Sequence, residues 1–175
     1  SGLILVGNQQ HLIVILVEFL CQPILWEAVH GCLRVLGVII RQLYLYIAQR
    51  VEVIVEHFRT TVMPELGGMA KAMVITASRQ GAVKYRQAFE NYTQKKGYTD
   101  IKALVAFSGK VKLPDDDTEY SEASINGFPE DRLTKEFDKD EYQVLLVANK
   151  YQTGFDQPKL CAMYVLKKLK GVSVV

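Results

Sequence analysis

The sequence predicts an α/β fold, a parallel sheet flanked by helices, on three observations. Short apolar runs of strand length recur at 71–77 (KAMVITA), 101–107 and 143–147, rich in β-branched residues. A helix-length segment, 79–96, separates the first two, which is the spacing of a right-handed βαβ unit. Finally, 49% of the 175 residues are hydrophobic, so a chain of one domain or slightly more can bury a sizeable core.

Taken in order, residues 3–48 are unusually apolar, with LIVILV at 12–17, VLGVII at 35–40 and LYLYIA at 43–48. Glu18, Pro23, Glu27, Arg34 and Arg41 interrupt the pattern. No stretch reaches the roughly 18 uninterrupted apolar residues of a membrane span. A signal peptide is not indicated either, since basic residues are missing before the first apolar run. The segment is expected to form one or two helices that bury their sides against protein. From 47 to 66 the spacing of Ile47, Val51, Ile54, Val55 and Phe58 predicts an amphipathic helix, ended by Pro64 and the Gly67-Gly68 pair. Ser78 is placed to cap the helix over 79–96, and Gly97 to close it. Residues 110–128 read as a long loop, followed by a short charged helix from Pro129 to about Lys139. Strands at 143–147 and 161–166 complete a sheet of four strands at most.

Charge divides the chain further. The formal net charge is +2, but the first fifty residues carry only three Arg and two Glu. Residues 71–112 have a balance of +7, residues 114–141 of −8, and residues 142–175 of +4. Basic segments around an acidic insertion are compatible with one basic face near the strand ends, or with lysines that solvate helix faces. The run Asp115, Asp116 and Asp117 lacks the alternating ligands and glycine turn of a calcium loop. Cys21, Cys32 and Cys161 sit among apolar neighbours without disulfide or zinc spacing, and His11, His30 and His57 show no ligand pattern. Three widely spaced cysteines favour a reducing, cytoplasmic setting.

The stretch over 144–160, VLLVANKYQTGFDQPKL, joins a strand to a polar loop. Loops at the carboxyl ends of strands in an open α/β sheet are where ligands bind, because neighbouring connections diverge there. Asn149, Lys150, Gln152 and Thr153 offer donors to a phosphate-rich partner. Gly154 permits close backbone approach, and Asp156 accepts from hydroxyl or guanidinium groups.

Several of these segments carry a resemblance. IAQRVEVIVEHFR, KAMVITASR, YTDIKALVAFSGKV, EASINGFPE, DEYQVLLVANKYQTGFDQPKL and MYVLKKLKGVSVV are similar to parts of the R subunit of type I restriction enzymes, within the second of its two RecA-like motor domains. The similarity covers 47–175 and leaves 1–46 as an apolar segment of unclear origin. It implies an incomplete RecA-like motor lobe from a superfamily-2 helicase that translocates duplex DNA with ATP and Mg2+, inside an endonuclease. By this resemblance Thr76, Ser78 and Arg79 stand where helicase motif IV ends, and Ser108 and Gly109 match a turn that contacts the DNA backbone. Residues 149–156 match motif V, which places Asn149, Lys150 and Thr153 on DNA and Gly154 and Asp156 at the nucleotide cleft. The implied partners are duplex DNA, the first motor lobe and nuclease domain of the same subunit, and the methylation and specificity subunits, with no membrane.

The chain also departs from that pattern. It contains no GxxxxGK[ST] loop, since Leu104 and Val111 stand where Gly and Ser or Thr would be needed around Gly109-Lys110. No acidic metal-binding box follows an apolar strand, and no catalytic residue is assigned. The piece alone is therefore expected to be inactive in ATP hydrolysis and DNA cleavage. A non-catalytic α/β interaction domain derived from a motor lobe is the alternative, and an RNA helicase lobe a third reading.

Overall fold

The computed structural model describes residues 2–8, 11–17, 32–114, 116–151 and 155–167, with side chains from Leu45 onward. In chain order, a hairpin of β1 (Gly2–Asn8) and β2 (His11–Val17) precedes α1 (Cys32–His57). Next come β3 (Lys71–Ile75), α2 (Arg79–Lys96) and β4 (Ala103–Phe107). A second hairpin, β5 (Lys110–Leu113) and β6 (Asp116–Ser121), leads into α3 (Glu122–Asn126), α4 (Leu133–Asp138), β7 (Val144–Ala148) and β8 (Leu160–Val165).

The large sheet has the order β2-β1-β8-β3-β7-β4. Its four strands β8, β3, β7 and β4 are parallel, as the βαβ spacing predicts. Every residue of β3, β4 and β7 is buried, which a parallel sheet covered on both faces requires. Alternation along each strand sorts the residues. Ala72, Val74, Val144, Leu146, Ala162 and Tyr164 pack under α1 and α2 with Val55, Phe58 and Phe89. Met73, Ile75, Leu104, Leu145, Val147 and Val165 face the other way, onto Leu133 and Phe137 of α4.

Several expectations need correction, the first being a sheet of four strands at most: β1 and β2 extend the four parallel strands to six. Residues 3–46 are not wholly helical: the first part is the β1–β2 hairpin, with β1 antiparallel to β8, and α1 begins at Cys32. A continuous apolar run such as LIVILV has no period to separate strand from helix, and its β-branched content suits the strand. Consequently α1 starts fifteen positions before Ile47, where the amphipathic pattern becomes legible, and runs through the compositional boundary. It ends at His57 rather than Leu66, continuing as a π-helical turn, Phe58–Val62, in which Met63 N donates to Phe58 O at 2.7 Å. Leu66 then turns left-handed with φ 52°, ahead of the two glycines.

Residues 110–128 are likewise not a loop. They form the β5–β6 hairpin and α3; within the two strands only Leu113 is buried, so they carry no apolar alternation to detect. Ser121 caps α3 reciprocally with Ser124, a pairing that the usual Glu or Gln signature does not cover. The α2 caps are as expected. Ser78 Oγ accepts from Gly81 N at 3.0 Å, and Gly97 adopts φ 69°.

The outer edge of β4 pairs with side chains instead of a strand. Asn126 Oδ1 accepts from Val105 N at 3.0 Å while its Nδ2 donates to Val105 O at 2.8 Å. Four residues earlier on the same face, Glu122 Oε2 accepts from Phe107 N at 2.9 Å. At the amino ends of the parallel strands, the buried Lys71 ammonium donates to Lys139 O at 2.8 Å and to Tyr142 O, and lies 5.0 Å from the Phe137 ring centre. Burial lowers its pKa, and the carbonyls stand in for lost water. Among the described residues no helix is long and apolar enough to cross a membrane.

Asn126→Ala leaves the amide and carbonyl of buried Val105 without their partners, and should cost about 2 kcal/mol in chemical denaturation. His57 Nδ1 lies 2.9 Å from the hydroxyl of the buried Tyr164, and burial lowers its pKa from 6.5. Below 6.5 the unfolded chain takes up a proton that folded His57 resists, so stability falls with pH until the lowered folded value is passed. Denaturation between about pH 7 and pH 5.5 should show this decline, and His57→Gln should flatten it.

Candidate nucleic-acid interface

Because β3, β7 and β4 are parallel neighbours, their carboxyl ends emerge side by side. Ile75 is in register with Val147, and Phe107 with Ala148. The segments that follow, beginning at Thr76, Ser108 and Asn149, therefore share one edge of the sheet in the order β3, β7, β4.

Thr76 closes β3 and is buried. Its amide donates to Val147 O at 2.9 Å, and its hydroxyl sits 2.9 Å from the same carbonyl and 3.1 Å from Ser78 O. Its hydroxyl is used internally, tying β3 to β7. Ser78 and Arg79 are exposed. The Arg79 guanidinium crosses to the β4 turn, where Nη1 donates to Ser108 O at 3.2 Å and Lys110 O at 3.3 Å. Gly109 has φ 74°, and a Cβ placed there would come 3.2 Å from Arg79 Nη1. Glycine thus serves both the turn and the close passage of the guanidinium. Gln80 adds a second tie, donating to Lys112 O at 2.9 Å.

On β7 the backbone turns sharply. Asn149 and Tyr151 are both left-handed, at φ 56° and 58°, in a region that residues other than glycine rarely enter. Asn149 is exposed, and Tyr151 folds back onto Phe155 at a ring separation of 4.8 Å. Between them Lys150 points inward, only 19% exposed. Its ammonium lies 2.9 Å from Glu122 Oε2 and 3.5 Å from Glu130 Oε2. Burial raises the pKa of the Glu122 carboxyl against the opposing pull of Lys150 and the Phe107 amide. Burial also disfavours the Lys150 ammonium, but the hydrogen bond and charge of Glu122, together with Tyr151 and Glu130, outweigh it and its pKa rises. Thr153 and Gly154 lie outside the described residues, and Asp156 is exposed.

The edge therefore brings Ser78, Arg79, Ser108, Gly109 and Asn149 together at the surface, with Thr76 and Lys150 turned into the protein. Sequence reasoning missed Glu122 and Gln80. Glu122 belongs to the acidic segment, whose composition suggests a solvated insertion, and only its position on the β4 edge explains its burial.

The basic residues of 71–112 do not gather on this edge. Lys71 is buried at the amino ends of the strands, and Lys102, just before β4, pairs with Glu141 at 2.6 Å. Lys95 and Lys96 close the far end of α2. Arg79, Lys110 and Lys112 remain on the carboxyl side, with Lys110 paired to Glu119 at 2.8 Å. Among the described residues no group of three or more His, Cys, Asp or Glu side chains is placed to hold a metal ion. The sequence has no GxxxxGK[ST] cradle, and of the two residues expected at a nucleotide Gly154 lies outside the described residues and Asp156 is exposed.

No family model matches the chain, and no solved structure matches it. The chain is 26% identical over 143 residues to a protein of Methanocaldococcus jannaschii named "Putative type I restriction enzyme MjaVIIP endonuclease subunit". The match covers 72% of this chain but 12% of the relative, so the chain spans a small part of the protein it resembles. That similarity supports a relationship between this chain and type I restriction enzymes.

Proposed function

We propose that the chain is part of the ATP-dependent DNA translocase of a type I restriction endonuclease subunit, and that the carboxyl edge of β3, β7 and β4 lies against the DNA backbone. The observation that carries the reading is the convergence of three polar turns on one edge of a parallel sheet. Backbone contacts need hydroxyl, amide and guanidinium donors at positions where the main chain approaches closely. Ser78, Arg79, Ser108, Gly109 and Asn149 supply them at the surface. The similarity to a restriction endonuclease subunit supports the same reading.

In this proposal Thr76 and Lys150 act from within, and Thr153 joins the DNA-facing set. Gly154 and Asp156 face the nucleotide cleft, which closes only against the first motor lobe. ATP and Mg2+ belong to the intact subunit, where the nucleotide supplies the energy of translocation. No step of that chemistry is assigned to this chain, which alone is inactive. The nuclease domain of the subunit and the methylation and specificity subunits are the remaining partners. The protein works in the cytoplasm, where its DNA lies.

Duplex DNA binding by the chain, followed by fluorescence anisotropy over a salt series, should weaken linearly in log–log form as phosphate counterions are released. Arg79→Gln should lower affinity and make the slope shallower by about 1, as expected for one lost phosphate contact. Binding to a protein that is insensitive to salt, with no affinity for duplex DNA, would instead identify an interaction domain derived from a motor lobe. Preference for RNA over duplex DNA in competition would favour the RNA helicase reading.

A further inference from the structure

Two of the turns on the carboxyl edge are joined beneath the surface by one side chain. Glu122 is fully buried, and its Oε2 accepts both from Phe107 N, immediately before the Ser108-Gly109 turn, and from Lys150 Nζ, inside the Asn149–Tyr151 turn, each at 2.9 Å. Glu130 approaches the same ammonium from the 3-10 turn Glu130–Arg132. Among the described residues the other Glu122 oxygen, Oε1, is buried with no hydrogen-bond partner, so Oε2 makes the contacts of this carboxylate.

The charges decide what Lys150 can bind. One ammonium beside two carboxylates leaves a local excess of negative charge, which repels phosphate, and most of the lysine is already covered. The residues on either side of Lys150 are the two left-handed ones, Asn149 and Tyr151. Such a backbone persists when its surroundings over-determine it, and the inward pull of Lys150 does so here.

We propose that Lys150 and Glu122 are positioning residues: the buried pair locks the Asn149–Tyr151 turn to the Ser108-Gly109 turn, and Lys150 makes no phosphate contact. The coupling between the turns stands on geometry alone, whereas its effect on DNA rests on the function proposed above.

Amide hydrogen exchange and DNA binding, measured on the whole chain, test the two parts separately. Lys150→Met should speed exchange of the Phe107 amide tenfold or more and shift the Ser108 and Gly109 amide resonances, while the amide of Val74 in β3 stays protected. Lys150→Arg, which keeps a cation for Glu122, should restore Phe107 protection; Lys150→Gln takes the place of the methionine variant if that does not fold. DNA affinity should drop in Lys150→Met with an unchanged salt slope, in contrast to Arg79→Gln. Unchanged Phe107 exchange in Lys150→Met would overturn the coupling. A slope shallower by about 1 would make Lys150 a phosphate ligand and overturn its positioning role. If the unmodified chain has no affinity for DNA, the nucleic-acid reading fails and Phe107 exchange still decides the coupling.

Discussion

A strand pairing that runs parallel leaves neither face of its sheet to water, and that requirement governs the chain from α1 to β8. The residues of β3, β4 and β7 divide by alternation between a layer of α1 and α2 and a layer built around α4. Each crossover returns the chain to the same starting edge. All carboxyl ends are thereby delivered to one side, where there is no ladder left to satisfy the backbone and the turns project into solvent. The polar edge is a product of burial elsewhere, because the apolar demands of the strands determine where the polar residues emerge.

The parts legible from sequence are those in which one physical signal dominates. Ser78 and Gly97 bracket α2 because a side-chain acceptor and a left-handed residue solve the two problems of helix ends. The strands were visible because buried parallel strands are short unbroken apolar runs. The same kind of run misleads at 12–17, where an unbroken pattern carries no period, whereas at 110–121 the strands β5 and β6 are too polar to show any apolar run. At the edge, the register of β3, β7 and β4 brings together residues as far apart in sequence as Thr76 and Asn149, and five of the candidate residues there are on the surface: Ser78, Arg79, Ser108, Gly109 and Asn149. Lys150 shows the limit. Its identity points to a phosphate ligand, whereas in the structure its ammonium is bonded to Glu122, a residue 28 positions earlier in the acidic segment.

The charge segregation along the sequence becomes partial neutralisation in three dimensions. Glu119, Glu122, Asp140 and Glu141 from the acidic segment each pair with a lysine from a basic one: Lys110, Lys150, Lys159 and Lys102. The exposed members of this set contribute little to stability, since water and salt screen them and two flexible side chains must be held still. Their larger effect is on the field, which they flatten along the amino edge and the flanks. Arg79 differs in that its guanidinium rests on neutral carbonyls, so its positive charge is positioned without an acidic partner among the described residues.

Closing β4 with Asn126 and Glu122 makes sheet growth directional. A strand edge with free amides and carbonyls is a template for whatever strand arrives next. Here the template is occupied by an amide and a carboxylate that imitate a neighbouring backbone and offer no further ladder. A longer polypeptide containing this unit has one flank available for adding strands, the flank of β8, on which β1 and β2 already lie. Anything that packs beside α3 must do so through side chains, so the unit has a built-in terminus that its place in the sequence does not reveal.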